Sequence, residues 1–286
     1  MISFILVNYI NYQVTIDCVE SILRNSDNLD GNFEIILVDN ASPNNSIEIF
    51  KKKYKDIRNI HLIQNDINYG FGKANNIGVD FASGDNLIFV NSDVYFENFN
   101  FRNFSKILEL KKDLGMLSCK ILYKDGTIQS VGNEFPDLKN LFKTYVLFSN
   151  SKRRKNKLYK DYIHRGLFKC TWCSGSFFAC RRDNYLKVGG FDESIFLYGE
   201  DLELGLNFLK SGFNNYVNDN FYAYHLHGAS SKLSKPKYLK LRQNKLNDLY
   251  VFKKHNLFKN YFLIRLMIEF NVIVIYIRSL IKWLVR

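Results

Sequence analysis

Residues 33–42 read Phe-Glu-Ile-Ile-Leu-Val-Asp-Asn-Ala-Ser, a run of apolar side chains that ends abruptly on polar ones. The run Phe33 to Val38 is typical of a strand covered on both faces, because such strands lack the alternation of a half-exposed strand. Similar runs occur at Ile2 to Val7, Ile60 to Ile63 and Leu87 to Val90. Together these runs predict a buried parallel sheet in the first third of the chain.

Stretches with helical periodicity separate the apolar runs. Ile16, Val19 and Ile22 have helical spacing behind Thr15, a candidate N-cap, and Gly72 to Ala82 forms another such stretch. Strand and helix in alternation predict an α/β fold with a doubly wound, mostly parallel sheet flanked by helices. Ligands of such sheets bind at the carboxyl ends of the strands, so the residues that follow each strand are the candidate site.

Those positions carry amide and carboxylate side chains: Asn8, Asp39, Asn40, Asn65 to Asn68, Asn91 and Asp93. Asp39 could recognise a nucleobase, and Asp93 could bind Mg²⁺ or Mn²⁺, which prefer oxygen ligands and bridge to phosphates. Asn68 to Lys73 adds a glycine-bearing loop before a helix N-terminus, a candidate site for phosphate or ribose. The combination suits a nucleoside diphosphate.

The second half of the chain holds one pair of acids in a distinctive setting. Glu200 and Asp201 follow Tyr198-Gly199 at the predicted start of a helix, where acids commonly complement the helix dipole. A hydroxyl that displaces a nucleoside diphosphate also needs a base to take its proton. We therefore expect this pair to act in catalysis.

Composition and charge exclude several classes of protein. The 286 residues are 47% hydrophobic with three prolines and sixteen glycines, which excludes disordered and collagen-like chains. Lys and Arg number 40 against 28 Asp and Glu, and residues 232–286 alone hold 13 basic and two acidic side chains. The surplus favours a polyanionic partner. A second basic cluster is predicted to be an exposed loop: Lys152, Arg153, Arg154, Lys155, Lys157 and Lys160.

The segment from Tyr261 to Arg286 is apolar but carries regularly spaced charges. Its longest uncharged run, Phe270 to Ile277, has eight residues, far fewer than a membrane span of roughly 20 needs. Arg278, Lys282 and Arg286 would line one face of a helix, with Trp283 suited to the headgroup zone. We predict a helical tail on an anionic membrane surface; the alternative is a helix packed on the core or on a partner subunit.

Five cysteines without zinc-finger spacing and without a preceding secretory signal indicate a reducing, cytoplasmic setting. Cys170 and Cys173 form a lone C-x-x-C pair, which without a second pair favours packing thiols over a metal site.

Several motifs occur in an order typical of one family: Val7-Asn8-Tyr9, Val38-Asp39-Asn40-Ala41-Ser42, Asn68-x-Gly70-Phe71-Gly72-x-Ala74-Asn75-Asn76-x-Gly78, Asn91-x-Asp93, Ser174-Gly175, Gly189-Gly190-Phe191-Asp192-Glu193 and Glu200-Asp201. The sequence resembles the family 2 inverting glycosyltransferases of GT-A fold, in particular their rhamnosyltransferase-like branch. The resemblance spans about residues 2–231 and implies a glycosyltransferase domain over residues 1–231, with a nucleotide-binding half (1–95) and an acceptor-binding half (96–231). Residues 232–286 form the membrane-associating tail that the charge and apolar pattern predict.

The resemblance also implies roles for individual residues. Contacts to the nucleotide sugar would come from Asn8, Asp39, Asn40, Asn68, Gly70, Lys73, Asn75, Asn76, Ser92 and Asp93. Asp201 would be the general base and Glu200 part of the acceptor site, while Trp172, Ser174 and Gly175 would border the sugars. Asp93 and His225 would hold a divalent cation, although Asn91 stands where many relatives have the first Asp of a D-x-D motif.

The expected reaction moves one sugar, with rhamnose as a candidate, from a nucleoside diphosphate to a hydroxyl of a glycan. The resemblance implies an acceptor on a polyprenyl diphosphate lipid, as in bacterial surface polysaccharide assembly, at the inner face of the cell membrane. Residues Gln-x-x-Arg-Trp, typical of processive synthases, do not occur, so we expect a single transfer per encounter.

Two alternatives remain at this point. A sugar-phosphate nucleotidyltransferase would also need a base-binding sheet and a metal-binding acid, but Asn8 to Gln13 lacks the glycines and basic residues that such enzymes carry after the first strand. A non-catalytic protein could bind membrane or nucleic acid through the basic tail. Nucleic acid is not expected, because the aromatic residues follow core patterns instead of alternating with basic ones.

Overall fold

The computed structural model describes residues 1–130, 132–135, 137–147, 166–226 and 237–284, without the side chains of residues 237 and 282–284. The chain divides into two compact units, and each consists of two segments: Met1–Asn133 with Tyr162–Lys232, and Glu134–Asp161 with Leu233–Arg286. Two of the sequence predictions lie outside the described residues, the basic loop 152–160 and Arg286, and the side chains of Lys282 and Trp283 are not described either.

The first unit contains a large sheet with helices on both faces. Its strands are β1 (Ile2–Asn8), β2 (Phe33–Asp39), β3 (Ile60–Gln64), β4 (Asn86–Asn91), β5 (Val94–Tyr95), β6 (Leu114–Leu122), β7 (Ile128–Ser130), β8 (Leu167–Cys170), β9 (Phe177–Arg181) and β10 (Asn214–His225). Its helices are α1 (Tyr12–Arg24), α2 (Ser46–Tyr54), α3 (Phe71–Phe81), α4 (Phe101–Leu110), α6 (Arg182–Lys187) and α7 (Glu200–Lys210).

The strand order β3-β2-β1-β4-β9-β6-β10-β5 confirms the predicted α/β sheet, and strands from the second half of the chain extend it. β1, β2, β3 and β4 are parallel to one another, whereas β9 lies antiparallel between β4 and β6. The parallel half results from strand-helix-strand crossovers. β9 differs because it enters the sheet from the 171–176 loop beside the end of β4, in the opposite direction.

The registers place the carboxyl ends of the parallel strands at one level. Asn8 pairs with Asp39, Asp39 pairs with Gln64, and Val7 pairs with Asn91. Because these parallel strands end at the same level, the polar residues at and after the ends of β1, β2 and β4 lie along one edge of the sheet.

Helix α1 begins earlier than the sequence indicates. Its N-cap is Asn11, and Thr15 lies inside the helix, fully buried. The prediction of Thr15 as an N-cap was wrong, because its hydroxyl donates to Asn8 Oδ1 at 2.6 Å instead of capping the helix.

The five cysteines are buried free thiols. Cys170 Sγ and Cys173 Sγ lie 3.9 Å apart, and burial raises the pKa of the Cys173 thiol well above its ordinary value.

The second unit contains three helices in its described part: α5 (Leu138–Tyr145), α8 (Lys237–Lys254) and α9 (Tyr261–Leu284). Arg242 of α8 donates from Nε to Glu269 Oε2 of α9 at 2.9 Å. Asn271 of α9 donates to the Tyr145 carbonyl at 2.7 Å, which ties α9 to α5. Within the described residues, no helix combines the length and the apolarity needed to cross a membrane.

Candidate active site

The ends of β1 and β2 are joined by a buried polar network around Asp39. Asp39 Oδ2 accepts from Asn8 Nδ2 at 2.7 Å and from Ser42 Oγ at 2.7 Å, and Asp39 Oδ1 accepts from the Ser42 backbone N–H at 2.9 Å. Asn8 Oδ1 accepts from the Thr15 hydroxyl. These bonds hold Asn8 and Asp39, two of the predicted base-recognition residues, in one fixed arrangement, since buried polar groups that are satisfied resist reorientation.

A second network joins Asn40 to the loop before α3. The Asn40 Nδ2 group donates to Asn68 Oδ1 at 2.9 Å and to the Gly70 carbonyl at 3.2 Å. Its Oδ1 accepts from Asn65 Nδ2 at 2.9 Å and from the Tyr69 N–H at 3.1 Å. Asn40 therefore uses both ends of its amide to shape the loop that precedes the helix N-terminus.

Gly70, the N-cap of α3, has a conformation that other residues rarely adopt, with φ +82° and ψ −178°. A Cβ atom there would lie 2.3 Å from the Phe196 carbonyl oxygen. The Phe71 N–H donates to that same carbonyl at 2.9 Å. The absence of a side chain at Gly70 thus allows the loop that precedes α3, here called the donor-side loop, to approach the segment that leads to Glu200 and Asp201.

We expect Gly70→Ala to lower the free energy of unfolding by about 3 kcal/mol or more, from backbone strain and overlap with Phe196 together. Urea unfolding followed by circular dichroism measures this loss. Gly126→Ala is the matched control: Gly126 also has positive φ (+78°), but nothing lies within 4 Å of an added Cβ. A loss of about 1–2 kcal/mol is expected there. Equal losses for the two variants would contradict the close approach.

Asp93, directly after β4, is buried and contacts a histidine far along the chain. His225 Nε2 lies 3.0 Å from Asp93 Oδ1, and His225 Nδ1 lies 3.1 Å from Gln129 Oε1. The Leu226 N–H donates to the Asp93 carbonyl at 2.9 Å. The pairing of β10 with β5 brings His225 opposite Val94, which explains how residues 132 positions apart meet.

The donor set around Asp93 fits a divalent cation that is completed by a bound ligand. It consists of one carboxylate and one imidazole, and Mn²⁺ accepts both oxygen and nitrogen. Asn91 Oδ1 is buried and accepts no hydrogen bond from any described residue, so an oxygen lone pair remains available there. The described residues contain no cluster of three or more His, Cys, Asp and Glu side chains that could hold a metal, so phosphate oxygens would have to supply further ligands.

Asp201, in the first turn of α7, lies against the loop that leads to β9. Its Oδ2 accepts from the Gly175 N–H at 3.0 Å, and its Oδ1 accepts from the Leu202 N–H at 2.8 Å. Burial raises the pKa of Asp201 above its ordinary value, although the backbone N–H groups of Gly175, Leu202 and Asp201 itself act in the opposite direction. A carboxylate with a raised pKa is better suited to accept a proton.

Short contacts connect Asp201, Phe71 and the end of β4 through one loop. A Cβ at Gly175 would lie 3.4 Å from Asp201 Cβ and 3.6 Å from Phe71 Cε1, so Asp201 lies beside the Phe71 ring. The Asn91 N–H donates to the Ser176 carbonyl at 2.9 Å, which joins the end of β4 to the same loop. The end of β4, the Phe71 ring of α3 and Asp201 therefore all contact the loop formed by residues 174–176.

The structure places the other predicted residues as follows. Lys73 Nζ lies 3.2 Å from Glu193 Oε2 and above the Tyr69 ring. Asn75 and Asn76 donate to the Phe71 and Phe191 carbonyls, both at 2.9 Å, so their amides have partners within the protein. The remaining positions are Ser92, which is buried beside Asp93; Glu200, which is buried; Trp172, which packs against Gly205 of α7; and Ser174, whose hydroxyl lies 3.1 Å from Ser176 Oγ.

Sequence reasoning missed several residues that support the site. Thr15, Ser42 and Gln129 each contact a predicted site residue, and Phe196 supplies the carbonyl next to Gly70. Ser42 lies three residues after Asp39, and Asp side chains commonly accept hydrogen bonds from residues within a following turn, so the sequence held a signal for this contact. Gln129 and Phe196 had no local signal, because only the fold brings them to the site.

Comparison with known proteins supplies the family. The family model described as Glycosyl transferase family 2 matches residues 3–189. Rhamnosyltransferase WbbL of Escherichia coli (strain K12) is 26% identical over 218 residues, which are 73% of this chain and 78% of WbbL. The O-antigen biosynthesis protein RfbC of Myxococcus xanthus is 24% identical over 180 residues, which are 63% of this chain but 14% of RfbC.

Among solved structures, the crystal structure of GalNAc-T7 with UDP, GalNAc and Mn²⁺ is similar with a TM-score of 0.65 at 14% identity. The match covers 88% of this chain and 47% of the GalNAc-T7 chain, so this chain spans about half of that one. The likeness shows that the fold is of the GT-A type.

Proposed function

Because the chain belongs to glycosyl transferase family 2 and is a glycosyltransferase, we propose that it moves one sugar from a nucleoside diphosphate to a glycan hydroxyl with inversion at the anomeric carbon. The observation that carries this proposal is the position of Asp201 beside the ring of Phe71, the first residue of the helix that follows the donor-side loop. A displacement of diphosphate with inversion needs a base that reaches the acceptor hydroxyl on the side of the sugar away from the diphosphate, and Asp201 would supply it from across the donor-side loop. Family membership sets aside the nucleotidyltransferase and the non-catalytic alternatives.

Asn8 and Asp39 would contact the nucleobase, because the Asp39 network fixes both side chains at the end of the parallel strands. Asn40 and Asn68 would place the loop beside the ribose and diphosphate, whose negative charge the α3 N-terminus favours. Ser92 and Lys73 would lie along the same donor, and Lys73 would exchange its Glu193 partner for a phosphate oxygen. The amides of Asn75 and Asn76 would support this segment through their backbone partners.

Asp93 and His225 would hold a divalent cation. When bound, the cation would supply positive charge that neutralises the leaving diphosphate. The GalNAc-T7 structure contains Mn²⁺, which supports cation use in proteins of this fold. In this chain Asp93 Oδ1 and His225 Nε2 face one another across 3.0 Å, and Gln129 holds the other imidazole nitrogen.

Asp201 would take the proton of the acceptor hydroxyl as its oxygen attacks the anomeric carbon from the side opposite the diphosphate. One C–O bond forms, the bond from the sugar to the diphosphate breaks, and the electron pair leaves with the diphosphate. Glu200 would help form the acceptor site, and Trp172, Ser174 and Gly175 would border the reacting sugars. Gly175 contributes its N–H, which holds the Asp201 carboxylate in place.

The names of two relatives suggest the substrates. WbbL is a rhamnosyltransferase and RfbC is an O-antigen biosynthesis protein, which supports rhamnose as the sugar and a surface polysaccharide as the product. An acceptor linked to polyprenyl diphosphate would place the enzyme at the inner face of the cell membrane. The 13 basic side chains of residues 232–286 support a peripheral attachment to anionic lipid.

A donor screen tests the proposal. The purified chain is incubated with a panel of UDP, GDP and dTDP sugars in the presence of Mn²⁺ or Mg²⁺, and release of nucleoside diphosphate and thermal stabilisation are recorded. We expect one sugar and one base to stabilise the protein and to be hydrolysed slowly. The stereochemistry of the product, read by NMR with a glycan acceptor, tests inversion. If no nucleotide sugar binds at millimolar concentration, the proposal fails.

A further inference from the structure

Helix α9 has two faces of different character, although both are apolar. One face is buried in the second unit and includes Ile264, Ile268 and Val272, each no more than 7% exposed. The other face is a line of large apolar side chains spaced three or four residues apart: Phe262, Leu266, Phe270, Ile273, Ile277 and Ile281. These six residues, here called the apolar stripe, are between 48% and 71% exposed.

The apolar stripe is too extensive to be incidental. It spans 19 residue steps of α9, or roughly 28 Å at 1.5 Å per residue. Single exposed apolar residues are normal, but a continuous exposed patch of this length marks an interaction site. Its spacing matches the helical repeat, so all six side chains face the same surface.

The charges of residues 232–286 favour an anionic bilayer over a second copy of the chain as the partner of the apolar stripe. Residues 232–286 contain 13 basic and two acidic side chains, and one of those acids, Glu269, pairs with Arg242. Two copies joined through the stripe would bring equal positive charges together. Anionic headgroups would instead complement Arg265 and Arg278, which are exposed on the same helix.

Charged residues recur along α9 at Arg265, Glu269 and Arg278. An orientation across the bilayer would bury all three, which is costly. An orientation in the plane of the interface lets the stripe contact acyl chains while the long arginine side chains reach the headgroups.

We propose that the apolar stripe of α9 is a docking surface for a bilayer rich in anionic phospholipid, with the helix lying in the plane of the interface. This proposal rests on the proposed function, which includes attachment to a membrane. It adds the surface of the protein that binds the membrane and the class of lipid that is bound. The stripe enters the acyl boundary, and the basic side chains of the tail set the preference for anionic headgroups.

Vesicle sedimentation tests this proposal on the full chain. Vesicles contain phosphatidylcholine and phosphatidylglycerol in equal parts, or phosphatidylcholine alone. The test variant combines Leu266→Gln, Phe270→Gln and Ile277→Gln, and the matched control combines Phe81→Gln, Leu110→Gln and Leu186→Gln, three exposed apolar residues of the first unit. We expect the test variant to bind anionic vesicles at least about tenfold more weakly than the control, which should bind like the unmodified chain.

A second variant, Arg265→Gln with Arg278→Gln, tests the choice of lipid without removing apolar side chains. We expect its preference for anionic over neutral vesicles to fall severalfold, and added salt to weaken binding of the unmodified chain. Unchanged vesicle binding by the stripe variant would overturn the proposal. So would a dimer, seen by analytical ultracentrifugation, that the stripe substitutions dissociate while vesicles are not bound.

Hydrolysis of the nucleotide sugar without vesicles is measured on the same proteins. If vesicle binding follows the stripe but no protein hydrolyses any donor, the docking surface stands and the transferase proposal fails. If all proteins hydrolyse the donor but the stripe variant binds vesicles normally, the transferase proposal stands and the docking surface is wrong.

Discussion

Asp201→Asn is expected to lower kcat for sugar transfer by roughly 10²- to 10⁴-fold while donor affinity stays nearly unchanged. The amide has no basic electron pair to accept the hydroxyl proton. Its carbonyl oxygen can still accept from one of the two backbone N–H groups, those of Gly175 and Leu202, that hold the carboxylate. Initial rates with a glycan acceptor and calorimetric titration with the donor separate the two effects.

Asp183→Asn is the matched control for that variant. Asp183 is also an acid in the first turn of a helix, α6, but it is exposed. We expect its kcat and donor affinity to match those of the unmodified chain. A similar loss of rate in both variants would show that the effect at Asp201 arises from lost helix charge and not from proton transfer.

The pH profile gives a second measurement on the same residue. Burial raises the pKa of Asp201, so the carboxylate is protonated, and inactive as a base, over a wider acidic range than an ordinary Asp. We expect kcat/KM to fall as pH decreases through this raised pKa and to reach a plateau above it. In Asp201→Asn the residual activity should lack this acidic limb. An acidic limb that persists unchanged would assign it to another group.

Asp93→Asn is expected to lower kcat by about 10²-fold or more, because the charge on the leaving diphosphate loses stabilisation worth several kcal/mol. The amide oxygen is a weaker cation ligand than the carboxylate, so half-maximal activity should require a higher Mn²⁺ concentration. Initial rates across a Mn²⁺ titration, after removal of metal with a chelator, measure both changes.

Asp85→Asn provides the control for Asp93. Asp85 precedes the same strand, β4, at its opposite end and pairs with the N-terminal amine at 3.2 Å. We expect its metal titration to follow that of the unmodified chain. If Asp93→Asn also followed that curve, Asp93 would not be a metal ligand.

The sequence predicted the parallel half of the sheet closely. The apolar run from Phe33 to Val38 became β2, Phe33–Asp39, and the run from Leu87 to Val90 became β4, Asn86–Asn91. Strands covered on both faces consist mostly of apolar residues, with Glu34 as the exception within β2, so burial itself marks their limits. The polar residues after these strands were also readable, because a parallel sheet collects its carboxyl ends at one edge.

The sequence did not predict the antiparallel strand β9, Phe177–Arg181, although its residues are almost entirely apolar. A short apolar run does not reveal its partner, and β9 pairs with β4, whose residues lie about 90 positions earlier. The prediction of Thr15 as an N-cap also relied on a local rule. In the structure its hydroxyl instead donates to Asn8, a contact that depends on the fold.

The amino-acid order alone determined that this chain forms an α/β sheet whose strand ends carry Asn8, Asp39 and Asp93, because hydrophobic periodicity and residue type act locally. Only the tertiary structure decided that His225 meets Asp93, that Gly70 approaches Phe196, and that Asp201 lies beside Phe71. These contacts join segments more than 100 residues apart, and they depend on strand pairing and loop approach that no local pattern encodes.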